Sequence, residues 1–192
     1  MTIGDSIDLG QVATPTWHGY CHQGIHAGSN LGKPMMGFGL GVASTAMASW
    51  YTRLDNILRS GMSMPRVLLI PTDSPNDGGT DAAMMTVRKG VQDFAAYAIS
   101  LKILPIFLSP IPAGVGLSNR STDQYWLRQY AWFQDLSRQG WLTFDGAAVV
   151  GDPVNRFTAG AAYSGDWSGV HPGNTGHDAL AIALGARLAA LL

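Results

Sequence analysis

Short apolar runs that alternate with helical stretches constrain the fold of this chain more than any other feature. Residues 66–70 (RVLLI) and 103–108 (ILPIFL) are apolar runs of strand length, typical of strands that are covered on both faces. Between them, residues 81–101 repeat apolar side chains every three or four positions, which predicts a helix. A helix between two buried strands indicates a right-handed crossover. The sequence therefore predicts an α/β fold with a mostly parallel sheet and helices on both faces.

The remaining periodic segments extend this pattern. Helices are expected over residues 44–60 and 121–140, each ending at a glycine, and the second opens on a Ser-Thr-Asp-Gln capping pattern. Residues 141–144 predict a further strand, and residues 176–191 predict the last helix, with leucines on one face.

Composition narrows the classes of function. The chain is 46% apolar and only 13% charged, which is typical of a folded protein rather than a disordered one. Twelve Lys and Arg against 13 Asp and Glu leave no basic excess to neutralise phosphates, which argues against a nucleic-acid partner. The single cysteine, Cys21, excludes an intrachain disulfide framework and a zinc ribbon.

The two ends of the chain carry no membrane or secretion pattern. Residues 179–192 are apolar but include Arg187 and are too short to span a bilayer. No signal-peptide pattern precedes Gly4. Only three residues precede Gly4, so we expect either that the first strand is short or that the chain is cut from a larger protein. We expect one soluble domain over residues 1–192, its compartment and oligomeric state left open.

Three polar segments follow predicted strands, where ligands bind in open α/β sheets. Ser6 comes directly after the first strand, and a serine hydroxyl becomes a nucleophile when a base removes its proton. His171, in Gly169-Val170-His171-Pro172-Gly173-Asn174 just before the last helix, is a suitable base. Asn76, in Ser74-Pro75-Asn76-Asp77, follows residues 66–70 and can donate to a developing oxyanion.

These segments, in this order, resemble those of the SGNH/GDSL hydrolases, and the resemblance extends from Gly4 to the last helix. It implies a three-layer, flavodoxin-like α/β/α fold with a five-stranded sheet. It further implies that Ser6 is the nucleophile and His171 the base. The implied oxyanion hole consists of the backbone N–H groups of Ser6 and of Ser44 or Gly41, together with the side chain of Asn76.

The chain departs from the family pattern at the orienting acid. The family has Asp three residues before the histidine, whereas this chain has Ser168 there, and Asp166 lies five before. We expect Asp166 to orient His171 in a Ser-His-Asp triad. The alternative is a Ser-His dyad, in which a backbone carbonyl near Ser168 orients the ring. Trp167 is interpreted either as a substrate-binding ring or as a loop anchor. The glycine that precedes the family asparagine is also missing.

The resemblance implies a serine esterase that acts through an acyl-enzyme and needs no cofactor. Small acyl esters, acetyl first, and an acetylated carbohydrate in particular, are the expected substrates, since no lid-like amphipathic segment argues for lipase action. The alternatives are a carbohydrate-binding module with weakened catalysis and a lipase or thioesterase of the same family.

A separate stripe of histidines lies in a helix expected over residues 15–28. His18, His22 and His26 are four residues apart, a spacing compatible with zinc. No glutamate completes an HExxH pattern and no CxxC pair exists, so no metal is expected and the stripe is interpreted as a solvated or pocket-edge face.

Overall fold

The computed structural model describes residues 1–4, 19–37, 39–41, 48–61, 63–73, 80–112, 124–168 and 171–192. Its strands are all parallel and follow the order β2-β1-β3-β4-β5. This is the second common order of doubly wound sheets. The strands are β1 Thr2–Gly4, β2 Gly39–Gly41, β3 Val67–Pro71, β4 Leu104–Leu108 and β5 Thr143–Phe144.

Helices follow these strands, and all but the short helix at 146–150 lie in or next to segments that the sequence predicts to be helical. They are α1 Tyr20–Asn30, α2 Ala48–Arg59, α3 Asp81–Ser100, α4 Gln124–Arg138, α5 Gly146–Val150 and α6 Asn174–Leu191. Gly61 and Gly140, which follow α2 and α4, have φ of +75° and +88°, as expected of helix-ending glycines. Residues 44–47 and the capping pattern at 121–123 lie outside the described residues.

Two apolar cores lie on opposite faces of the sheet. Successive residues of β3 point to opposite faces, so Leu68 and Ile70 join one core while Leu69 joins the other. The first core contains side chains of α2, α3 and α4, including Trp50, Phe94 and Phe133. The second contains side chains of α1 and α6. The predicted α/β fold with a parallel sheet is confirmed.

Glycines bring α1 and α6 into backbone contact. A Cβ placed on Gly185 of α6 would lie 2.7 Å from the Cβ of Ala27, 2.7 Å from the nitrogen of Gly28 and 2.8 Å from the oxygen of Gly24. No side chain fits there, so glycine is required for the two helices to approach this closely. The signal was present in the sequence as Gly24-x-x-x-Gly28, although helical periodicity alone does not reveal it.

Candidate active site

Of the predicted site residues, the structure describes Gly41, Asp166, Trp167 and His171. Ser6, Ser44 and Asn76 lie outside the described residues. Gly41 is the last residue of β2, in register with Gly4 at the end of β1. Its backbone therefore lies beside the strand that leads to Ser6, as the alternative oxyanion donor requires.

His171 lies on a backbone segment that is fixed on both sides. The N–H of Ser168 donates to the oxygen of His171 at 3.0 Å, and the N–H of His171 donates to the oxygen of Ser168 at 2.9 Å. Buried Pro172 and Gly173 follow, and Gly173 is the N-cap of α6. This reciprocal pair and the helix that follows restrict where the partly exposed imidazole can point.

Asp166 caps the helix that follows His171. The carboxylate accepts hydrogen bonds from the backbone N–H of Thr175 at 3.0 Å and from its Oγ1 at 2.8 Å. A Cβ on Gly173 would lie 2.2 Å from the Asp166 Cγ, so the glycine makes room for this cap. Partial burial acts to raise the pKa of Asp166, but the hydrogen bonds from Thr175 outweigh it and the pKa is lowered.

The catalytic role of Asp166 stays a prediction. A carboxylate has about four acceptor positions, so two bonds from Thr175 leave capacity for an imidazole N–H. The alternative acceptor for the imidazole N–H is the carbonyl of Ser168, which already accepts a hydrogen bond from the backbone N–H of His171.

Trp167 packs inward beneath α6. A Cβ on Gly176 would lie 3.0 Å from the Cζ3 of Trp167, and the ring packs against the core that α1 and α6 share. Its Nε1 is buried without a hydrogen-bond partner among the described residues. These contacts favour the loop-anchor interpretation, and substrate stacking by this ring stays a prediction.

His177 connects the first turns of α1 and α6 and was not recognised from the sequence. Its side chain is fully buried, and its Nδ1 accepts the backbone N–H of Tyr20 at 3.1 Å. An accepting Nδ1 places the ring hydrogen on Nε2. The bond satisfies one of the free N–H groups at the start of α1, the helix that follows the Ser6 segment in the chain. The sequence feature that could have indicated this role was the position of His177 on the buried face of the last helix.

A buried polar network holds the end of β3, where the Asn76 segment begins. The Oγ1 of Thr72 donates to the oxygen of Leu108 at 2.7 Å, and the Nε2 of Gln129 donates to the oxygen of Thr72 at 3.3 Å. The Nε of Arg88 in turn donates to the Oε1 of Gln129 at 2.8 Å. Thr72 and Gln129 are fully buried, so these bonds satisfy polar groups that water cannot reach.

Two kinds of feature are absent from the described residues. No group of three or more His, Cys, Asp or Glu side chains in that part of the chain could hold a metal ion. None of the described helices has the length and apolar character needed to cross a bilayer.

Comparison with solved structures identifies the fold. A protein of the G-D-S-L family from Desulfitobacterium hafniense DCB-2 superposes with a TM-score of 0.72 at 19% identity, covering 100% of this chain and 97% of that chain. A GDSL-like lipase from Bacteroides thetaiotaomicron VPI-5482 gives 0.68 at 15%, covering 100% and 87%. A member of the lipolytic protein G-D-S-L family from Veillonella parvula DSM 2008 gives 0.67 at 16%, covering 95% and 93%.

At these identities the similarity shows the fold alone, which this chain shares with the three G-D-S-L proteins. No protein-family model matches the sequence. No curated protein matches it either.

Proposed function

We propose that this chain is an ester hydrolase of the SGNH/GDSL type, with residues 1–192 forming one catalytic unit. One observation carries the proposal: a chain with the GDSL-hydrolase fold over its full length has Ser6 directly after β1 and His171 directly before α6. In a parallel sheet these two positions belong to the same edge, so a nucleophile and its base can meet there.

The proposed reaction follows from the residue types. Ser6 Oγ attacks the ester carbonyl while His171 takes its proton. The oxyanion accepts hydrogen bonds from the N–H groups of Ser6 and of Ser44 or Gly41, and from the Asn76 amide. His171 then protonates the leaving alkoxide. Water, activated by the same imidazole, hydrolyses the acyl-enzyme and regenerates Ser6.

Asp166 is the proposed orienting acid. A carboxylate that accepts the Nδ1–H of His171 selects the tautomer whose Nε2 can receive the Ser6 proton, and it stabilises the imidazolium that forms. The hydrogen bonds from Thr175 support this proposal indirectly, because they hold the carboxylate next to the segment that carries His171. The dyad, with a backbone carbonyl in place of Asp166, is the alternative.

The proposed substrates are small acyl esters, acetyl first, with an acetylated carbohydrate preferred over a lipid. The support is the sequence, in which no amphipathic lid-like segment could cover a long acyl chain.

Changing Ser6 to Ala tests the nucleophile. We expect turnover of p-nitrophenyl acetate to fall by several orders of magnitude, because the remaining groups cannot form an acyl-enzyme. Labelling by a fluorophosphonate should disappear in the same variant. Circular dichroism and thermal unfolding of the variant provide the folding control. Retention of a tenth of the wild-type activity by a folded Ser6→Ala protein would refute the assignment.

A further inference from the structure

Two imidazoles on the first two turns of α1 face each other. The Nε2 of His22 and the Nε2 of His26 are 3.2 Å apart, with ring centroids 4.8 Å apart and ring planes at 69°. Both atoms are ring nitrogens, so one of them carries the hydrogen and the other accepts it with its lone pair. A single hydrogen thus occupies the space between two potential metal ligands.

The separation of the two nitrogens is the one that a chelated cation needs. Imidazole nitrogens lie about 2.0–2.1 Å from Zn²⁺. Two such ligands at a tetrahedral angle are then about 3.3 Å apart, and two at a right angle are about 2.9 Å apart. The 3.2 Å observed falls between these values. A divalent cation can therefore replace the shared hydrogen with little change in the distance between the two nitrogens, once each ring turns its lone pair toward the ion.

The pair is also chemically available. His26 is exposed and His22 is partly exposed, so an ion reaches them from solvent. The helix beneath them is held rigidly, because α1 packs backbone to backbone on α6 and its first N–H is bound by His177.

We propose that His22 and His26 form a binding site for a divalent transition-metal ion with affinity for imidazole, such as Zn²⁺ or Cu²⁺, with solvent in the remaining positions. His22 and His26 are not among the proposed catalytic residues. It revises the interpretation of the histidine stripe as a solvated face, which rested on the missing HExxH glutamate. The structure supplies what spacing alone does not, namely the 3.2 Å separation of the two nitrogens.

Titration of the full chain, purified without a histidine tag, with ZnCl₂ tests the proposal. We expect saturable binding of one ion per chain by isothermal titration calorimetry. His22→Gln and His26→Gln should each weaken the affinity at least tenfold, because each leaves a single imidazole. His171→Gln is the matched control, since it removes another partly exposed imidazole and should leave the affinity for Zn²⁺ unchanged.

A second measurement keeps the test valid if a variant unfolds. Long-range ¹H–¹⁵N spectra of the wild-type imidazoles should show the Nε2 signals of His22 and His26 moving together as Zn²⁺ is added, with those of His177 unmoved. Unchanged affinity in both single variants, or binding that His18→Gln abolishes while the other two variants retain it, would overturn the proposal.

Discussion

Backbone hydrogen bonds and the helix that follows set the position of the His171 backbone. The reciprocal hydrogen bonds with Ser168 fix the residue from one side, and the start of α6 fixes it from the other. The start of that helix is in turn capped by Asp166 through Thr175. If Asp166 is the orienting acid, as proposed, a substitution there has two separable consequences, one for the orientation of the imidazole and one for the helix.

Asp166→Asn tests the orienting acid against this structural role. We expect kcat for p-nitrophenyl acetate to fall by about 10⁴, as in related triads, because an amide stabilises the imidazolium poorly and favours the wrong tautomer. Thr175→Val is the matched control: it removes the Oγ1 hydrogen bond to Asp166 but keeps the carboxylate, so kcat should change less than tenfold.

A nearly silent Asp166→Asn variant would instead favour the dyad. In that case Ser168→Asp, which restores the residue found in the family, becomes the informative variant, and a rise in its activity would place the orienting group at position 168.

Helices α1 and α6 pack against each other, and each follows a candidate catalytic residue in the chain. α1 follows the Ser6 segment and α6 follows His171, and their first turns are linked by the His177–Tyr20 hydrogen bond. Because a Cβ on Gly185 would lie 2.7–2.8 Å from Ala27 and from the backbones of Gly24 and Gly28, the relative position of the helices tolerates no added atom there. Element packing is therefore the means by which distant parts of the chain are held near the candidate site.

Gly185→Val tests the contact between α1 and α6. The added side chain begins 2.7 Å from Ala27 Cβ and from the backbone of Gly28, so the helices must separate. We expect the free energy of unfolding in urea to fall by about 2 kcal/mol, within the range for overpacking. Ala186→Val on the exposed neighbouring position is the control and should change it by about 0.5 kcal/mol or less. Equal losses in the two variants would show that the close contact is not what limits stability.

At the scale of the whole molecule, a cavity of about 410 Å³ lies at the amino edge of the sheet, where β3 begins, and its lining includes Met35, Val67 and Leu188. Ligands of open α/β sheets bind at the opposite, carboxyl edge.

The proposed preference for short acyl chains rests on the sequence, in which no lid-like amphipathic segment could cover a long chain. We expect p-nitrophenyl acetate and butyrate to be hydrolysed at least tenfold faster, in kcat/KM, than the palmitate, with acetylated xylan as the carbohydrate substrate to compare. Esters of the same chromophore serve as matched substrates, since only the acyl chain differs. A maximum at eight or more carbons would contradict the short-acyl proposal and favour a lipase or thioesterase.

The sequence by itself determined the strands and helices that depend only on patterns among neighbouring residues. β3, β4 and α3 were predictable because an apolar run or a three-to-four periodicity is a property of adjacent residues. Ser6, Ser44 and Asn76 lie outside the described residues, so their roles in the site stay predictions from the sequence motif.

Only the tertiary structure determined the features that depend on residues far apart in the chain. β2 is a Gly-Leu-Gly segment with little strand propensity of its own, and it is a strand because it pairs with β1. The bond from Tyr20 to His177 joins residues 157 positions apart. Such contacts form only when the chain folds back on itself, because their partners are chosen by packing and by the need to satisfy buried polar groups, not by sequence spacing.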